Sequence, residues 1–226
     1  MKKLSDICFI IQSRLNSKRL PNKMLKPFAN TTLFEISIKK YIESTLIPNE
    51  NIYLSLYDEE LITVAKKYPV NIFNRSERSV SETKLPSEVS EWALELPYKY
   101  FVSMNACTPL LSISTIDNFV NHFLSSPHKS LFAVVENKNF YWNSNCEMIT
   151  KYPDSLDTKL VESTYTAAHV LYAGLNSDIS KNIYLGDFTK NYPELFFVDK
   201  REIFDIDHEW EFKLTELLYL NKERFL

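Results

Sequence analysis

The first half of the chain alternates between short apolar runs and segments in which apolar residues recur every three or four positions. Runs of the first kind are typical of strands buried on both faces, and the second pattern is typical of helices with one face on a core. This alternation predicts an α/β fold with an open, mostly parallel sheet covered by helices on both faces. The predicted strands lie at residues 7–12, 51–57, 70–73, 98–104 and 130–135, and the predicted helices follow Thr32 and lie at 59–68, 87–95 and 114–124.

The pattern changes at residues 137–175, which are rich in Tyr, Trp, Thr and Asn and show no helical period. We expect a hairpin or a small mixed insertion there. The length favours a single domain over residues 1–226 that contains this segment. Strands predicted at 195–198 and 202–206 and a helix at 208–219 complete the domain.

Composition limits the partners and the compartment. The chain carries 26 Lys and Arg against 29 Asp and Glu, a net charge of −3, so we expect no general affinity for nucleic acid or for an anionic membrane. No segment approaches the ~20 apolar residues of a membrane span. Cys8, Cys107 and Cys146 lack the spacing of a metal or redox motif, which predicts reduced structural thiols and a cytoplasmic protein.

Glycine is scarce, with only Gly174 and Gly186 in the whole chain. Phosphate-binding loops built on repeated glycines are therefore excluded. If the chain binds phosphate, it does so through cationic side chains on a loop of another kind.

Such a loop follows the first predicted strand. Arg14, Lys18, Arg19 and Lys23 place four cations within ten residues, at a strand end where ligands bind in open α/β sheets. Guanidinium and ammonium groups suit a triphosphate, and Ser17 adds a donor. The alternative is a solvated basic loop, but its position after the strand favours anion binding.

Two carboxylates lie near the other end of the chain. Asp205 and Asp207 are two residues apart on a predicted strand, so their side chains point to one face. Together with phosphate oxygens and water they suit Mg²⁺. Asp207 is alternatively the N-cap of the following helix, a role that would leave Asp205 unexplained.

Residues 10–26 resemble the opening of the sugar-activating cytidylyltransferases. That family includes the acylneuraminate and 3-deoxy-manno-octulosonate cytidylyltransferases and a group from spore-coat and surface polysaccharide pathways. Asn16 stands where the family usually has Gly, and Asn is the least costly replacement if the position needs a positive φ. The match is carried by Arg14, Ser17, Arg19, Leu20, Pro21, Lys23, Lys26 and Pro27.

Weaker resemblance continues along the chain. Asn74-Arg75 resembles the family's Arg-Pro step, whose arginine lies near the nucleotide, but Ser76 follows Arg75 where the family has Pro. Residues 105–110 resemble the motif near the sugar, with Asn105 in place of the usual Gln. The family's aspartate in the loop after Arg75 has no clear counterpart, and Glu82 is the nearest candidate.

The resemblance implies a Rossmann-like fold of the nucleotide-diphospho-sugar transferase type with a small mixed insertion. It implies a Mg²⁺-dependent enzyme that transfers CMP from CTP to the anomeric hydroxyl of a keto-deoxy sugar acid, such as a nonulosonate of the sialic acid kind, and releases pyrophosphate for surface polysaccharide synthesis. Arg14, Lys23, Asp205 and Asp207 would be catalytic, the two aspartates by holding the metal. Ser13, Arg14, Ser17, Arg19, Lys23 and Arg75 would bind the nucleotide, and Asn105 and Thr108 the sugar.

Related enzymes have an aromatic stretch near residues 139–142, in an insertion that pairs two subunits. This implies a homodimer formed through the segment at residues 137–175, and simple core packing is the alternative for residues 139–142. Two other functions stay open. One is nucleotidyl transfer to a different surface-polysaccharide sugar, and the other is a binding role for a family member without activity.

Overall fold

The computed structural model describes residues 2–81, 85–151, 157–183 and 193–225. Its main sheet has seven strands in the order β5-β4-β1-β6-β8-β7-β9, and a two-stranded ribbon pairs β2 with β3. The strands are β1 (Ile7–Gln12), β2 (Pro27–Phe28), β3 (Thr31–Thr32), β4 (Ile52–Leu56), β5 (Asn71–Asn74), β6 (Tyr100–Met104), β7 (Leu131–Asn137), β8 (Thr164–Leu175) and β9 (Glu194–Phe197).

The main sheet is mostly parallel, as predicted. β1 pairs in parallel with β4 on one side and with β6 on the other, β4 pairs in parallel with β5, and β7 with β9. β8 is antiparallel to both β6 and β7. Because β1, β4 and β6 run in one direction, the loops after Gln12, Leu56 and Met104 leave the sheet at the same edge.

The helices lie between these strands and after the last one. In the described ranges none combines the length and hydropathy that crossing a bilayer requires. They are α1 (Leu33–Ile42), α2 (Glu59–Ala65), α3 (Glu77–Val80), α4 (Pro86–Val89), α5 (Trp92–Glu95), α6 (Ile113–Ser125), α7 (Asn176–Ile179), α8 (Glu209–Leu220) and α9 (Lys222–Phe225).

The predicted start of α1 is confirmed in detail. The Thr32 hydroxyl accepts a hydrogen bond from the Glu35 backbone N–H at 3.2 Å, which satisfies one of the donors that the first helical turn leaves free. The Thr32 hydroxyl also lies 3.2 Å from the Glu35 carboxylate. Ser112 caps α6 in the same way, accepting from the Thr115 N–H at 3.1 Å.

β1 is at the centre of the core because it is paired on both edges and covered on both faces. Its side chains alternate between two apolar clusters. Phe9 and its neighbours two residues away pack on the side of α1 and α6. Ile10 packs on the opposite side with Trp92 and Phe101. The continuous apolar run at residues 7–11 therefore has the physical cause that the sequence indicated, since both of its faces are buried.

Two predicted elements are wrong. The helix expected at residues 87–95 is divided into α4 and α5, because Ser90 leaves helical geometry at φ −116° and ψ 46°. The strand expected at residues 202–206 is absent: Lys200–Glu202 is a 3-10 turn, and the residues after it run beside a loop rather than a strand. The Ile206 N–H donates to the Cys107 carbonyl at 3.1 Å, a single contact that does not make a ladder.

Residues 137–175 include one full strand of the main sheet. β8 fills the last twelve positions of that range and lies between β6 and β7, with a register shift opposite Phe132 and Val134. An isolated bridge joins Trp142 to Met148 within the connection. Residues 152–156 of the predicted segment lie outside the described residues, and its role as an insertion stays a prediction.

Lys40 is a cation within the buried face of α1. Its Nζ donates to the Thr108 carbonyl at 2.8 Å. Burial lowers the pKa of Lys40 to about 7, an effect that the negative charge of Glu202 only partly offsets. A lysine in the unfolded chain keeps its ordinary pKa of 10.5. Between these two values the unfolded chain binds more protons than the folded chain, so this lysine makes the free energy of unfolding rise with pH.

We expect Lys40→Met to remove that pH dependence. Wild-type protein should gain stability relative to the variant as pH rises from 6.5 to 8.5, by up to about 1.4 kcal/mol per pH unit. Urea denaturation at each pH measures the difference. Lys39→Met changes the exposed neighbour on the same helix and should keep the wild-type slope. If plots of the free energy of unfolding against pH were parallel for wild type and Lys40→Met, this would contradict a buried Lys40 with a lowered pKa.

Candidate functional site

The basic loop at residues 13–23 leaves the centre of the sheet and is tied to the neighbouring strand. The Ser13 N–H donates to the Ser55 carbonyl of β4 at 3.3 Å. The Leu15 N–H donates to the Asp58 carboxylate at 2.9 Å, and Asp58 lies just beyond the end of β4. The parallel pairing of β1 with β4 thus fixes where the loop begins.

Asn16 does not take the left-handed conformation that was expected if it replaces a glycine of the family. Among the described residues of this loop, Asn22 does so, with φ 56°. Asn tolerates this region better than most residues. The Asn22 carbonyl accepts hydrogen bonds from the N–H groups of Leu25 and Lys26, both at 3.0 Å. The left-handed residue therefore lies at the end of the loop and not near its start.

The loop surrounds a cavity of about 460 Å³, which we call the loop cleft. It contains the four cations that the sequence singled out, together with Ser13, Ser17 and Asp207. The Ser13 hydroxyl is buried and has no hydrogen-bond partner among the described residues. The lining residues are Gln12, Ser13, Arg14, Asn16, Ser17, Lys18, Arg19, Lys23, Met24, Cys107 and Asp207.

Asp207 joins the far end of the chain to this cleft. Its carboxylate lies 2.7 Å from Arg19 Nη2 and 3.1 Å from Lys23 Nζ. Lys23 Nζ also donates to the Ile206 carbonyl at 2.6 Å. Burial alone lowers the pKa of Lys23, but Cys107 and Asp207 raise it more, so the net pKa lies above its ordinary value and the ammonium stays charged.

The alternative role of Asp207 as a helix N-cap is wrong. α8 begins at Glu209, and His208 occupies the N-cap position. The Glu211 carboxylate instead accepts from the N–H groups of Asp207 at 2.7 Å and His208 at 2.8 Å. The Asp207 carboxylate is thereby left to the two cations of the loop.

Asp205 lies beside Asp207 although the segment is not a strand. Ile206 between them is fully buried, and of the two aspartates only Asp207 is among the residues that line the loop cleft. Burial, followed by the charge of Asp207, raises the pKa of Asp205, while Lys23 partly offsets the increase. The described residues contain no group of three or more potential metal ligands. Mg²⁺ commonly takes one or two carboxylates plus substrate phosphates and water, so this pair fits the donor set.

Asn105 and Thr108 differ in their access to the cleft. Asn105 Nδ2 donates to the His169 carbonyl at 3.0 Å, and its Oδ1 accepts from the Cys107 N–H at 2.9 Å. A hydrogen bond with the Asn105 side chain lowers the pKa of the Asp205 carboxylate, so these two predicted site residues are in contact. Thr108 is 2% exposed, and its hydroxyl donates to the Asn105 carbonyl at 2.8 Å. Thr108 therefore supports the loop from inside and is not placed at its surface.

Arg75 lines an adjoining cavity of about 300 Å³, which we call the Arg75 pocket. Its guanidinium donates to the Ser79 hydroxyl at 2.8 Å and to the carbonyls of Ser79 and Val89 at 2.7 and 3.3 Å. Burial, together with the charge of Arg14, lowers the pKa of Arg75 to about 10, which leaves it charged at neutral pH. The pocket is lined by Gln12, Ser13, Arg14, Arg75, Ser79, Ser81 and Val89, and Glu82 lies outside the described residues.

The two cavities adjoin each other. Gln12, Ser13 and Arg14 line both of them, and the Arg14 guanidinium donates to the Val80 carbonyl at 3.0 Å. We call the two adjoining cavities the groove, which extends from Asp207, past the basic loop, to Arg75.

Comparison with known proteins agrees with this geometry. The sequence profile described as cytidylyltransferase matches residues 8–182, more than three quarters of the chain. The chain belongs to the cytidylyltransferase family. The expected family and the nucleotidyltransferase type of fold are thus confirmed.

Relatives of this cytidylyltransferase include the post-translational flagellin modification protein B of Campylobacter coli, which is 25% identical over 97% of both chains. The 3-deoxy-manno-octulosonate cytidylyltransferase of Ruthia magnifica subsp. Calyptogena magnifica is 26% identical over 62% of this chain and 57% of its own. In structure, the chain is similar to CMP:2-keto-3-deoxy-manno-octonic acid synthetase complexed with CTP, with a TM-score of 0.69, 10% identity and coverage of 96% of this chain and 100% of that one.

Three residues of the site had no role in the sequence prediction. Asp58 holds the loop, Gln12 accepts a hydrogen bond from the Trp92 indole N–H, and Cys107 lines the cleft with a pKa that burial raises to about 11. All three lie at or just after the carboxyl ends of β1, β4 and β6. Position at these strand ends was the signal that could have found them.

Asp58→Ala should loosen the basic loop. The Leu15 N–H would lose a charged acceptor, and we expect a loss of about 1.5–3 kcal/mol in the free energy of unfolding. Urea denaturation measures the loss, and amide hydrogen exchange should show faster exchange at Leu15. Glu60→Gln, a change at an exposed position of the adjacent helix, is the control. Unchanged exchange at Leu15 in Asp58→Ala would show that the hydrogen bond does not hold the loop.

Proposed function

We propose that this cytidylyltransferase transfers CMP from CTP to the anomeric hydroxyl of a keto-deoxy sugar acid, with release of pyrophosphate. The observation that carries the proposal is the groove formed by the two adjoining cavities. It has a cationic section at the loop cleft, the Asp207 carboxylate with Asp205 next to it at one end, and the smaller Arg75 pocket at the other. These sections match the three parts of the reaction: a triphosphate, a metal-assisted transfer and a base.

In this proposal the loop cleft binds the triphosphate. Arg14, Arg19 and Lys23 neutralise its charge, and the unpartnered hydroxyl of Ser13 together with Ser17 donates to phosphate oxygens. Arg19 and Lys23 are paired with Asp207 in the free protein, so a triphosphate would replace one carboxylate by several phosphate oxygens. Catalysis is then mainly positioning and charge neutralisation.

The Arg75 pocket is proposed as the base site. Three of the hydrogen bonds from Arg75 go to Ser79 and Val89, and they use Nε and Nη2. Nη1 has no partner among the described residues. A guanidinium offers donors in a fixed plane, and cytosine presents the O2 and N3 acceptors that such donors suit.

Asp205 and Asp207 are proposed to hold Mg²⁺. When bound, this ion supplies polarisation of phosphate oxygens and lowers the pKa of a coordinated hydroxyl. The chain's own contribution is the buried Ile206, which anchors the backbone between the two carboxylates. Lys23 keeps its ammonium beside them through its bond to the Ile206 carbonyl.

The sugar-acid acceptor rests on the relatives and on the residues next to Asp205. Relatives include a 3-deoxy-manno-octulosonate cytidylyltransferase and a flagellin modification protein, which favours a sugar acid destined for the cell surface. Asn105 lies on the Asp205 side of the groove, next to His169. We propose a nonulosonate as the acceptor and the cytoplasm as the compartment.

A pyrophosphate-release assay tests the reaction. With Mg²⁺ and a panel of nonulosonates, octulosonate and sugar phosphates, we expect release with CTP and not with the other three nucleoside triphosphates. Asp205→Asn should reduce turnover by about 10²-fold or more, the range for loss of a group that stabilises transition-state charge. CTP binding measured by calorimetry should change much less.

Glu209→Gln is the matched control, because Glu209 is exposed near the same segment and pairs with Lys26. Full turnover in Asp205→Asn would refute the assignment of the metal site. Absence of pyrophosphate release with every combination, together with absence of Mg²⁺-dependent CTP binding, would refute the enzymatic function and favour a binding role.

We also propose that the protein forms a homodimer through the surface that includes β9, β8 and the Trp142–Met148 bridge. Large apolar side chains are exposed there: Phe197 and Trp142 are both 56% exposed, and the rings of Tyr165 and Phe197 lie 5.0 Å apart. An exposed apolar patch of this kind is typical of a protein interface. Ile149 and Leu160, at 65% and 62%, extend the exposed apolar surface of the same connection.

Phe197→Asp should weaken the dimer. Losing one buried aromatic side chain costs about 1.5–3 kcal/mol, which corresponds to roughly tenfold or more in the dissociation constant. Sedimentation equilibrium of wild type and variant measures it. Leu217→Asp changes an equally exposed apolar residue on α8 and should leave association unchanged. A monomeric wild-type protein would contradict the proposal.

A further inference from the structure

A separate cavity of about 400 Å³, which we call the Lys40 cavity, shares no lining residue with the loop cleft or the Arg75 pocket. It lies between α1, the start of α6 and the end of the chain. One face of α1 supplies Ile36, Lys39, Lys40 and Glu43, at helical spacing. The lining residues are Thr31, Ile36, Lys39, Lys40, Glu43, Pro109, Leu110, Leu111, Ser112, Ile113, Ser114, Tyr219, Lys222 and Glu223.

Lys40 is the buried cation of this cavity. Its Nζ donates to the Thr108 carbonyl, and within the described part of the chain it makes no other hydrogen bond and no ion pair. An ammonium has three donors, so two of them are without a protein acceptor there. Burying a charge that is only partly offset by an opposite charge is costly, and an anion in the cavity would reduce this cost.

The neighbouring carboxylates take this role only in part. The charge of Glu202 partly offsets the burial of Lys40, but Glu202 makes no ion pair with Lys40 in the described part of the chain, and its two oxygens accept hydrogen bonds from the N–H and the hydroxyl of Ser112, each at 3.1 Å. Two further carboxylates and two further ammonium groups line the cavity from exposed residues; their formal charges sum to zero, and the charge of Lys222 adds to the lowering of the Lys40 pKa. They are Glu43 and Glu223, and Lys39 and Lys222.

The remaining walls are mostly apolar. Ile36, Leu110 and Leu111 are buried, and Pro109 and Ile113 extend the same surface. A fully hydrated inorganic anion would leave these side chains without an apolar contact. An apolar body attached to the anion would fill the space and displace water from them.

We propose that the Lys40 cavity is a second ligand site, which binds a carboxylate with a short apolar body. The carboxylate accepts from the free donors of Lys40, and the apolar body packs on Ile36, Leu110 and Leu111. The site is linked to the groove through one loop: Lys40 holds the Thr108 carbonyl, and the Thr108 hydroxyl holds the Asn105 carbonyl. A ligand on Lys40 therefore acts at the base of the loop that carries Asn105.

Isothermal titration calorimetry with hexanoate tests the site, because hexanoate combines the carboxylate with a short chain. We expect saturable binding to wild-type protein and binding at least about tenfold weaker to Lys40→Met, the effect of losing one charge-assisted contact. Hexanol should bind as weakly to wild type as hexanoate does to Lys40→Met. Absence of saturable hexanoate binding to wild type would overturn the proposal.

Two matched variants locate the binding. Lys39→Met removes an exposed cation from the same helix and should keep hexanoate affinity within about twofold, since exposed pairs contribute little. Lys23→Gln removes a cation of the loop cleft and should likewise leave the affinity for hexanoate unchanged. Loss of hexanoate binding in Lys23→Gln with retention in Lys40→Met would place the anion in the loop cleft and refute the proposal.

A measurement on wild-type protein covers the case in which Lys40→Met does not fold. Acetylation by acetic anhydride, followed residue by residue with mass spectrometry, reports the accessibility of each lysine. Saturating hexanoate should protect Lys40 at least about fivefold, as expected for a site occupied at several times its dissociation constant. Lys39 should be unaffected. Equal acetylation of Lys40 with and without hexanoate would contradict the site.

Discussion

The parallel pairing of β1 with both β4 and β6 is the constraint on which the rest of the molecule depends. It buries five consecutive apolar residues, Ile7 to Ile11, on both faces, and it brings three strand ends to one edge. The basic loop, Asp58 and the loop that carries Asn105 follow those three ends. A chain with only two glycines has little freedom to bend its backbone around an anion. Instead, the sheet edge brings the three loops close together, and long cationic side chains provide the groups that can contact an anion.

Asp207 partly neutralises the cations of the groove. It pairs with Arg19 and Lys23, so two of the four cationic side chains of the loop are held by contacts within the protein. Lys26 pairs with Glu209 at 2.5 Å, and the Ala29 N–H donates to the Glu216 carboxylate at 2.6 Å, which continues the contact between the N-terminal part of the chain and α8. In the proposed function, the affinity for a triphosphate depends on the difference between its contacts with these cations and the contacts with Asp207 that it replaces.

Much of this arrangement followed from the sequence, because buried strands and capped helices leave local patterns. β1, α1 and α6 were predicted within a residue or two for that reason. The groove was predicted only in part. Arg14, Lys23 and Asp207 lie together as expected, but the roles of Asp58 and Gln12 depend on the register of β1 with β4 and on the position of Trp92, which no local pattern encodes. The strand predicted at residues 202–206 was wrong because alternating exposure there arises from one buried anchor, Ile206, and not from a sheet. Asn22 rather than Asn16 takes the positive φ. Which residue adopts the left-handed conformation depends on the conformation of the whole folded loop, and no local sequence pattern specifies it.

The contact between Lys23 and Asp207 spans 184 residues of sequence. Synthesis on the ribosome therefore delivers the cations of the groove long before the carboxylates. The sheet up to β6 can pair while the chain is still growing, because β1, β4, β5 and β6 all precede residue 105. The loop next to it meets Asp205 and Asp207 only after about a hundred further residues have been synthesised. During that interval the nascent chain carries the basic loop without the Asp207 carboxylate that pairs with Arg19 and Lys23 in the folded protein.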